Sequence, residues 1–546
     1  MKVLRSSCAA WPRHAAWAAL ASLGCAGSVF AWEAPLGIPV PGFGITQTAP
    51  ATPASWTAET TGFYYVDSKS GCSDSRSMGT PSAPRCSIPS NLPAGAVVEV
   101  HGTLGGNDFS WTGTADKPIF IRGQNASNRP TITGTWSTSS ASYVILENLK
   151  FAPSGSSPPA LFLSEGTHHV AVRDSEWSGT TSNAGGGIGI GQWSYSGSAT
   201  ANNIVLKGVN IHDLGDINAG GDRDAHCITV NGSVNNLWVV DSTTSRCEGD
   251  AIQIEGQHDR GISKIHHIYY ARNVASNHKQ SGGWIKHATD VVFSQNEVYG
   301  IARSSSSEGQ CMGAQYEPQN VWFIFNKLHD CAMGIFIGSD DGSGDGQDAY
   351  IIGNLIYNVH SSDPTNVYNA GAISARSFAN IYAFNNTIWD CDGGVNSPPA
   401  GINWRIFNNL IAGRTVSSGS EINLENAGSS TIDNNLFFRS GGIKIVWSGS
   451  SYSTASFGGK CTSCLSSDPL LVAPASLSFG LTANSPAINK GVSSTVYATY
   501  QSKFGVSINY DYVGATRPNG AYDLGAFEYG GVVAPRPSPP SSLIVR

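Results

Sequence analysis

The stretch SNHKQSGGWIKHATDVVFSQNEVYG, residues 276–300, contains one complete lap of a repeated structure. Within it, GWIKHA, VVFSQ and EVYG have the length and the apolar pattern of short strands, and a turn separates the first from the second. An asparagine stands between the second and the third. We therefore predict a lap of three strands with Asn296 at its second corner.

The same lap recurs along the chain with asparagine at the same corner. Related segments are YIIGNLIYN, IYAFNNTIWD and WRIFNNLIAG, and more loosely YVILENLKF and HIYYARNVAS. The aligned corner residues are Asn148, Asn273, Asn296, Asn326, Asn354, Asn386, Asn409 and Asn435. From Asn273 onward they are 23 to 32 residues apart, and such a period indicates a solenoid of stacked laps with parallel strands. Asparagine suits the corner because it tolerates left-handed backbone and its amide can bond the next asparagine.

An antiparallel sandwich is the alternative fold, because asparagine also marks the turns of hairpins. Such a sandwich predicts Asn-Gly or Asp-Gly between the strands. The corners instead read Asn-Thr, Asn-Leu and Asn-Glu. This difference favours the parallel solenoid.

The composition indicates a protein of many short strands that is exported from the cell. The 546 residues are 40% hydrophobic and 13% charged, with 63 Gly and 27 Pro, a balance that favours turns over long helices. Lys2, Arg5 and Arg13 precede an alanine-rich apolar run that ends at Ala31, which is typical of a secretory signal. No later run reaches the roughly 18 apolar residues of a membrane helix. We expect a secreted protein without a membrane span.

The chain divides by composition into five segments. We predict a signal peptide over 1–31, an N-terminal leader with a loop over 32–95, the solenoid and catalytic domain over 96–438, an irregular β region over 439–530, and a proline-rich tail over 531–546. The fourth segment ends in YDLGAFEY. Because an open solenoid end exposes strand edges and apolar side chains, we expect this segment to cover that end.

Nine cysteines follow the predicted signal, and export makes them candidates for disulfides. An odd number leaves at least one unpaired. Cys72 is predicted to pair with Cys86, and Cys311 could meet Cys331 between neighbouring laps. The segment Cys461-Thr-Ser-Cys464 has no second ligand pair nearby for zinc, which favours a local disulfide or two free thiols.

The first strands of six laps share an apolar frame, from HCITVNG to GAISARS. Period-two alternation turns one set of side chains inward, namely Ile228, Ile252, Ile285, Met312, Ile335 and Ile373. It turns a second set outward as a column, namely Thr229, Gln253, Lys286, Gly313, Phe336 and Ser374. The loops before these strands add acids and bases, namely Asp222, Arg223, Asp224, His226, Arg246, Glu248, Asp250, His278, Lys279, Arg303 and Glu308. We predict a polar groove with acids on one side and bases on the other.

The order DAHCITV, EGDAIQI and GGWIKHA on successive laps resembles the pectate-lyase superfamily, and within it polysaccharide lyase family nine. This resemblance implies a right-handed parallel β-helix of about ten or more three-strand coils, covering roughly residues 96 to 438. It also implies Ca²⁺ held by Asp224, Glu248 and Asp250, with Lys286 as the catalytic base. Gln253 stands where the family has a further carboxylate.

The same residues suit cleavage of a uronate polymer by β-elimination. That reaction neutralises the uronate carboxylate, removes the proton alpha to it and releases the glycosidic oxygen. A lysine is a base only as the neutral amine, which nearby cations or burial favour. Lys279, His287 and Arg303 are the predicted neighbours of Lys286, and either Ca²⁺ or Arg303 could bind the carboxylate.

Other residues are candidates for substrate binding or for a structural metal. Gln253, Lys279 and His287 are predicted to contact substrate in the groove, and Tyr316 and Arg376 could do so at its rim or could pack on the surface. The segment from Asp340 to Asp348 spaces Asp341, Ser343 and Asp345 like the start of a calcium loop. Ile352 stands at the twelfth position, where such loops carry glutamate, so a solvated acidic turn is the alternative.

We predict a secreted polysaccharide lyase that acts on an anionic, uronate-containing glycan. A glycoside hydrolase that uses two of the acids Asp224, Glu248 and Asp250 is the first alternative. A non-catalytic glycan-binding surface protein is the second. The net charge of −7 argues against nucleic acid as a partner, and we expect a monomer.

Overall fold

The computed structural model describes residues 32–153, 159–192, 199–221, 223–256, 264–338, 346–361, 371–397, 401–415 and 419–533. The chain winds through three long sheets in a fixed order, and strands pair in parallel with their counterparts one coil later. The exception is the last strand of one sheet, Ser450–Tyr452, which pairs antiparallel with Ile445–Trp447. The sequence prediction of an all-β, right-handed parallel β-helix is confirmed. A right-handed course is the usual one for parallel crossover connections.

We name the three sheets by position. The back sheet has fourteen strands, namely Phe63–Asp67, Val97–His101, Ile119–Gly123, Ser142–Glu147, His168–Arg173, Ala201–Lys207, Val234–Val240, Ile265–Ala271, Thr289–Ser294, Gln319–Ile324, Gln347–Ile352, Asn380–Phe384, Asn403–Phe407 and Thr431–Asp433. The side sheet has thirteen, namely Thr103–Leu104, Thr131–Ile132, Lys150–Phe151, Glu176–Ser178, Asn210–His212, Thr243–Ser245, Val274–Ser276, Glu297–Ile301, Lys327–Cys331, Leu355–Tyr357, Thr387–Trp389, Leu410–Ala412 and Leu436–Phe438.

The groove sheet completes each coil and has fourteen strands, namely Asn107–Phe109, Trp136–Thr138, Leu161–Leu163, Ile188–Gly191, Ile228–Asn231, Ile252–Glu255, Trp284–Lys286, Gln310–Gln315, Met333–Gly338, Ile373–Arg376, Val395–Ser397, Ile422–Leu424, Ile445–Trp447 and Ser450–Tyr452. A short hairpin, Leu471–Ala473 with Ser478–Leu481, stands apart. The helices are Thr454–Phe457 and Val496–Phe504, with a 3₁₀ turn at Pro474–Ser476. No helix of the described ranges has the length and the apolar character needed to span a membrane.

A ladder of buried asparagines joins the back sheet to the side sheet. The Oδ1 of Asn296 accepts the backbone N–H of Asn273 at 3.0 Å and its side-chain amide at 3.1 Å. The pattern repeats without a break to Asn435. The predicted corner is therefore confirmed from Asn273 onward.

Two details of the corner prediction were wrong. Asn148 has a φ of 55° and lies one residue before the ladder position, which Leu149 occupies. The ladder asparagines themselves are not left-handed. The residue before each ladder asparagine has the left-handed conformation, as at Arg272 (φ 55°) and Gln295 (φ 55°). Asparagine therefore suits the ladder position because of its side-chain amide.

The coils extend beyond the predicted bounds of the solenoid. Phe63–Asp67 already pairs with Val97–His101, and Ile445–Trp447 still pairs in parallel with Ile422–Leu424. One apolar core of inward-facing valine, isoleucine and leucine fills the solenoid, and Phe457 packs at its C-terminal end. Phe457 belongs to the predicted end-covering segment 439–530, whereas the part of that segment that holds YDLGAFEY lies against the outer face of the side sheet, where Leu524 joins a second apolar cluster.

A terminal clasp covers the outer face of the back sheet. It consists of residues 32–49 from the N-terminus and the helix Val496–Phe504. The backbone N–H of Leu36 donates to Gln295 Oε1 at 2.7 Å, and Trp238 Nε1 donates to Pro39 O at 2.8 Å. The two parts meet where the hydroxyl of Tyr500 donates to Gly37 O at 2.5 Å.

Four disulfides pair eight of the nine cysteines in the described ranges. Cys72–Cys86 and Cys311–Cys331 confirm the sequence prediction, and Cys461–Cys464 is the local disulfide that was one of two alternatives. The pair Cys227–Cys247 was not predicted. Cys391 is free and buried.

Candidate active site

A cleft of about 700 Å³ lies on the groove sheet near the middle of the solenoid. Strands from Ile252–Glu255 to Ile373–Arg376 form its floor, and the loop that carries Arg303 forms one wall. Its charged lining residues are Asp224, Asp250, Lys286, Arg303, Glu308 and Arg376. Three acids and three bases therefore line a single cleft. They are not separated onto opposite sides as the sequence analysis predicted, because Glu308 pairs with Arg303 in the same loop.

The strand register corrects the predicted outward column at one coil. Gln253 lies opposite Trp284, and Trp284 lies opposite Gly313. Lys286 belongs to a parallel column two residues further along the strands, between Glu255 and Gln315. Lys286 still faces outward, because a shift of two residues preserves the face of a strand.

Asp250 is a buried acid of the cleft whose carboxylate accepts two side-chain hydrogen bonds. Its carboxylate accepts the hydroxyl of Ser281 at 2.5 Å and the amide of Gln253 at 3.1 Å. His226 Nδ1 lies 3.4 Å from the same carboxylate and accepts the backbone N–H of Asp250 at 2.8 Å. Burial raises the pKa of Asp250, although His226, Ser281, Gln253 and the charge of Lys286 act in the opposite direction.

Asp224 is the exposed counterpart of Asp250. Its side chain is 62% exposed, and its Oδ1 accepts the amide of Gln280 at 3.0 Å. His226 Nε2 lies 3.7 Å from the same oxygen. The His226 ring therefore stands between an exposed carboxylate and a buried one.

Lys286 reaches into the cleft from the centre of the floor. Its side chain is 18% exposed, and its Nζ lies 3.8 Å from Glu255 Oε2. The same Nζ lies 5.8 Å from the centroid of the Tyr316 ring, within the range of a cation–π contact. The His287 ring stacks on Tyr316 at 5.1 Å. His287 and Tyr316 thus lie beside Lys286, although neither lines the cleft itself.

Lys279 and Glu248, which the sequence analysis expected to be a groove base and a metal ligand, lie together below the surface of the protein. Both residues are buried, and Lys279 Nζ lies 3.7 Å from Glu248 Oε1. Arg223 Nε also donates to Glu248 Oε2 at 3.0 Å. Burial opposes the charged carboxylate, but the hydrogen bonds from Arg223 and the Asp216 N–H leave the pKa of Glu248 lowered. Glu248 thus lies between two cations, and neither Glu248 nor Lys279 lines the cleft.

Arg303 and Arg376 occupy different parts of the cleft. Arg303 is 41% exposed and forms two contacts with Glu308, at 2.9 and 3.3 Å. Arg376 lies on the floor, in the same column as Lys286 and three strands away. Its guanidinium carbon lies 5.5 Å from the centroid of the Phe336 ring. Both predicted arginines thus line the cleft.

The three predicted calcium ligands do not form one site in this arrangement. Glu248 is engaged by Arg223 and Lys279, and both oxygens of Asp250 accept hydrogen bonds. Within the described ranges, the groups of three or more His, Cys, Asp and Glu side chains whose ligand atoms converge are Cys227, Cys247 and His278, and Asp433, Cys461 and Cys464. The carboxylates of Asp224, Glu248 and Asp250 are hard-oxygen ligands, but they do not converge on one point within these ranges, and calcium binding by them stays a prediction. The second calcium candidate, at Asp341, Ser343 and Asp345, lies outside the described residues.

Several residues of the site were not singled out by the sequence. Ser281 and Gln280 precede the strand of Lys286 and hold Asp250 and Asp224. Trp284 takes the place in the outward column that the sequence assigned to Lys286. The sequence feature that could have indicated the position of Trp284 is Gly313 on the next strand, because a glycine there leaves room for the indole ring.

His278 behind the cleft gives the fold a defined response to acid. It is buried, and its Nδ1 accepts the backbone N–H of Cys247 at 3.2 Å. Burial lowers its pKa from 6.5 to about 3. Below pH 6.5 the unfolded chain takes up a proton that the folded protein refuses, so stability from this group is lost as the pH falls toward 3.

We expect His278→Gln to flatten the dependence of unfolding free energy on pH between 6.5 and about 4.5. Urea titrations at several pH values measure the slope. His360 is the control, because its hydrogen bond to Asp392 raises its pKa and its contribution is lost as the pH rises. His360→Gln should therefore cost most at acid pH. An unchanged slope in His278→Gln would show that His278 takes up its proton equally in both states.

Comparison with known proteins gives distant structural similarity only. No family model matches the sequence, and no curated protein matches it. Among solved structures, the chain is similar to pectate lyase Pel9A at 13% identity and a TM-score of 0.37, over 86% of this chain and 97% of that one. It is similar to the periplasmic alginate epimerase AlgG at 9% identity and a TM-score of 0.40, over 66% and 78%.

A third similar structure is the GH136 lacto-N-biosidase from Eubacterium ramulus, at 14% identity and a TM-score of 0.39. The match covers 65% of this chain and 64% of the lacto-N-biosidase. The fold of the present protein is a right-handed parallel β-helix on the evidence of its own hydrogen-bonded sheets. The assignment to polysaccharide lyase family nine stays a prediction.

Proposed function

We propose that this protein is a secreted polysaccharide lyase that cleaves a uronate-containing glycan by β-elimination. The observation that carries the proposal is the amine of Lys286 at the centre of an open cleft whose lining also presents Arg303 and Arg376. The two arginines can pair with carboxylates of an anionic chain, and a lysine in the floor of the cleft supplies a base. Four disulfides support export, because such bonds persist in oxidising compartments.

In the proposed reaction Lys286 Nζ removes the proton alpha to the uronate carboxylate. The electron pair of that C–H bond forms the carbon–carbon double bond, the glycosidic C–O bond breaks, and the departing oxygen takes a proton from water in the open cleft. Arg303 binds the carboxylate and stabilises the charge that develops on it. Without substrate, Glu308 pairs with the guanidinium of Arg303 within the loop that forms one wall of the cleft.

The proposed mechanism uses no calcium step, because Asp224, Glu248 and Asp250 do not converge. Arginine suits this role, since its planar guanidinium pairs with both oxygens of a carboxylate. Asp250 instead positions the floor, through Gln253 and Ser281.

A glycoside hydrolase is the second candidate, and one observation favours it. The raised pKa of buried Asp250 suits a general acid. The exposed Asp224 on the other side of His226 could activate a water as general base. An inverting hydrolase uses two carboxyl groups in these roles.

Ultraviolet absorbance of the reaction products separates these functions. We expect wild-type protein to form an unsaturated, absorbing sugar from at least one polymer in a panel of galacturonan, mannuronan and guluronan. The rate should be unchanged in EDTA, because arginine binds the carboxylate. Reducing ends without new absorbance would instead establish a hydrolase, and neither signal on any polymer would contradict both enzymes. Full loss of the cleavage rate in EDTA, with recovery when Ca²⁺ is added, would show that the metal, and not Arg303, binds the substrate carboxylate.

A further inference from the structure

A second cavity, of about 550 Å³, lies at the N-terminal end of the solenoid on the outer face of the back sheet. Its floor is formed by the first three strands of that sheet, namely Phe63–Asp67, Val97–His101 and Ile119–Gly123. Residues 51–53 and Trp56 of the N-terminal segment form one wall, and Pro81 lies at another side. No described residue lines both this cavity and the cleft on the groove sheet.

Three polar side chains stand in one column on the floor of this cavity. Tyr65 lies opposite Glu99, and Glu99 lies opposite Arg122. Because neighbouring strands are about 4.8 Å apart, the three side chains follow one another at that spacing. Val98 and Val100, on either side of Glu99, belong to the apolar core. Alternation along the strand therefore turns the column outward, into the cavity.

The carboxylate and the guanidinium of this column keep unused hydrogen-bonding capacity. Glu99 Oε1 lies 2.9 Å from His101 Nε2, whereas Glu99 Oε2 lies 3.9 Å from Arg122 Nη2, which is beyond hydrogen-bond distance. Within the described ranges, the one hydrogen bond of the Arg122 side chain runs from Nη2 to Thr52 Oγ1, at 3.5 Å. An acceptor and several donors therefore stand side by side at the cavity.

Tyr65 adds a hydroxyl group to the same wall of the cavity. Only 8% of Tyr65 is exposed, yet its hydroxyl makes no hydrogen bond with any described residue. Burial, together with the charges of Asp67 and Glu99, raises the pKa of Tyr65, so the hydroxyl keeps its proton at neutral pH. The ring is held by His101, which stacks on it at 4.5 Å, and by Trp56, which meets it edge-on at 5.1 Å. Trp56 is itself partly exposed and lines the cavity.

Charge and shape at this cavity favour a neutral ligand that is rich in hydroxyl groups. An anion would stand beside Glu99, and a cation would stand beside Arg122. A sugar hydroxyl both donates and accepts, so adjacent hydroxyls of one pyranose satisfy a carboxylate and a guanidinium that lie next to each other. The partly exposed indole of Trp56 supplies apolar contact for the C–H groups of the sugar ring. The volume is within the range of about 300 to 1,000 Å³ that is usual for small-ligand sites.

We propose that this cavity is a second glycan-binding site, which takes one neutral pyranose residue away from the position of bond cleavage. Glu99 and Arg122 bind adjacent hydroxyl groups, the Tyr65 hydroxyl forms a further hydrogen bond, and Trp56 contacts the ring. The proposal goes beyond the lyase reaction and does not depend on it. Binding at the back sheet would keep the cleft close to a glycan that carries both neutral and acidic sugars, because it raises the local concentration of substrate.

Saturation-transfer difference NMR on the full chain tests this site without a cleavage reaction. The probes are the methyl glycosides of glucose, galactose and mannose, each with the methyl glycoside of its uronate as the charged match. We expect at least one neutral glycoside to bind with a Kd of about 1 to 10 mM. In the part of the signal that Trp56→Ala removes, the charged match should bind at least about fivefold more weakly, because its carboxylate stands beside Glu99.

Substitutions in the cavity separate the contributions of its groups. Trp56→Ala is expected to weaken binding of the neutral glycoside about tenfold, and Arg122→Gln about fivefold. Glu99→Gln should reduce the discrimination against the uronate to less than about twofold. Arg129→Gln is the matched control, since Arg129 pairs with Glu176 at 3.2 Å and lies outside the cavity. Melting midpoints verify the fold, and Trp56 belongs to none of the apolar clusters of the described ranges.

Four outcomes would overturn this second site. They are no saturation transfer to any neutral glycoside, unchanged affinity in Trp56→Ala, equal weakening in Arg122→Gln and Arg129→Gln, and preference for the uronate in the part of the signal that Trp56→Ala removes. The lyase and the second site fail differently. If wild-type protein makes no unsaturated product yet the neutral glycosides follow the expected pattern, the lyase is excluded and the second site stands.

Discussion

Replacing Lys286 with alanine is expected to reduce the rate of glycan cleavage by about 10² to 10⁴, the usual contribution of a general base. Lys286 faces the cleft from the floor and is not part of the apolar core. The melting midpoint and the affinity for oligosaccharide should therefore change little. The measurement is the initial rate of unsaturated product at saturating substrate.

Two further variants make the Lys286 prediction specific. Lys286→Arg should fail as well, because a guanidinium keeps its proton near neutral pH. Lys207→Ala is the matched control, since Lys207 ends a strand of the back sheet, away from the cleft. A loss of less than tenfold in Lys286→Ala would place the base on another residue.

Replacing Asn386 with leucine is expected to destabilise the fold by about 3 kcal/mol, because several buried polar groups lose their partners at once. Its Oδ1 accepts the N–H and the amide of Asn354, both at 3.0 Å, and its own amide donates to Ile351 O at 2.8 Å. Leucine is close in size but can make none of these bonds. Urea unfolding followed by circular dichroism measures the change.

Asn235→Leu is the control for the ladder. Asn235 is half-buried on the back sheet, and its side chain accepts one hydrogen bond, from the Asn236 amide at 3.2 Å. We expect a change within about 0.5 kcal/mol, as is usual at surface positions. Equal effects of the two substitutions would mean that the ladder has no special role in stability.

The fold was predictable from the sequence because its repeat carries a physical signal at each coil. Asparagines 23 to 32 residues apart mark corners, and alternation marks the inward face. The structure confirms both from Asn273 onward. Asn148 was placed wrongly because the asparagine at that corner occupies the left-handed position instead of the ladder.

The candidate site was predictable in part. Asp250, Gln253, Lys286, Arg303 and Arg376 all line the cleft. The register at Lys286 was not predictable, because shifts of two residues leave the same side chains facing outward.

The positions of the loop charges were not predictable either, since the sequence does not show which of them pair with each other in the fold. Lys279 and Arg223 both pair with Glu248, and neither Lys279 nor Glu248 faces the cleft.

The terminal clasp has a consequence for synthesis of the protein. Residues 32–49 leave the ribosome early, yet the partners of Leu36 and Gly37 follow 259 and 463 residues later. Contacts between residues so distant in sequence form late. Coils can therefore stack one after another while the N-terminus stays undocked, and its attachment to the helix Val496–Phe504 completes folding after nearly all of the chain has been made.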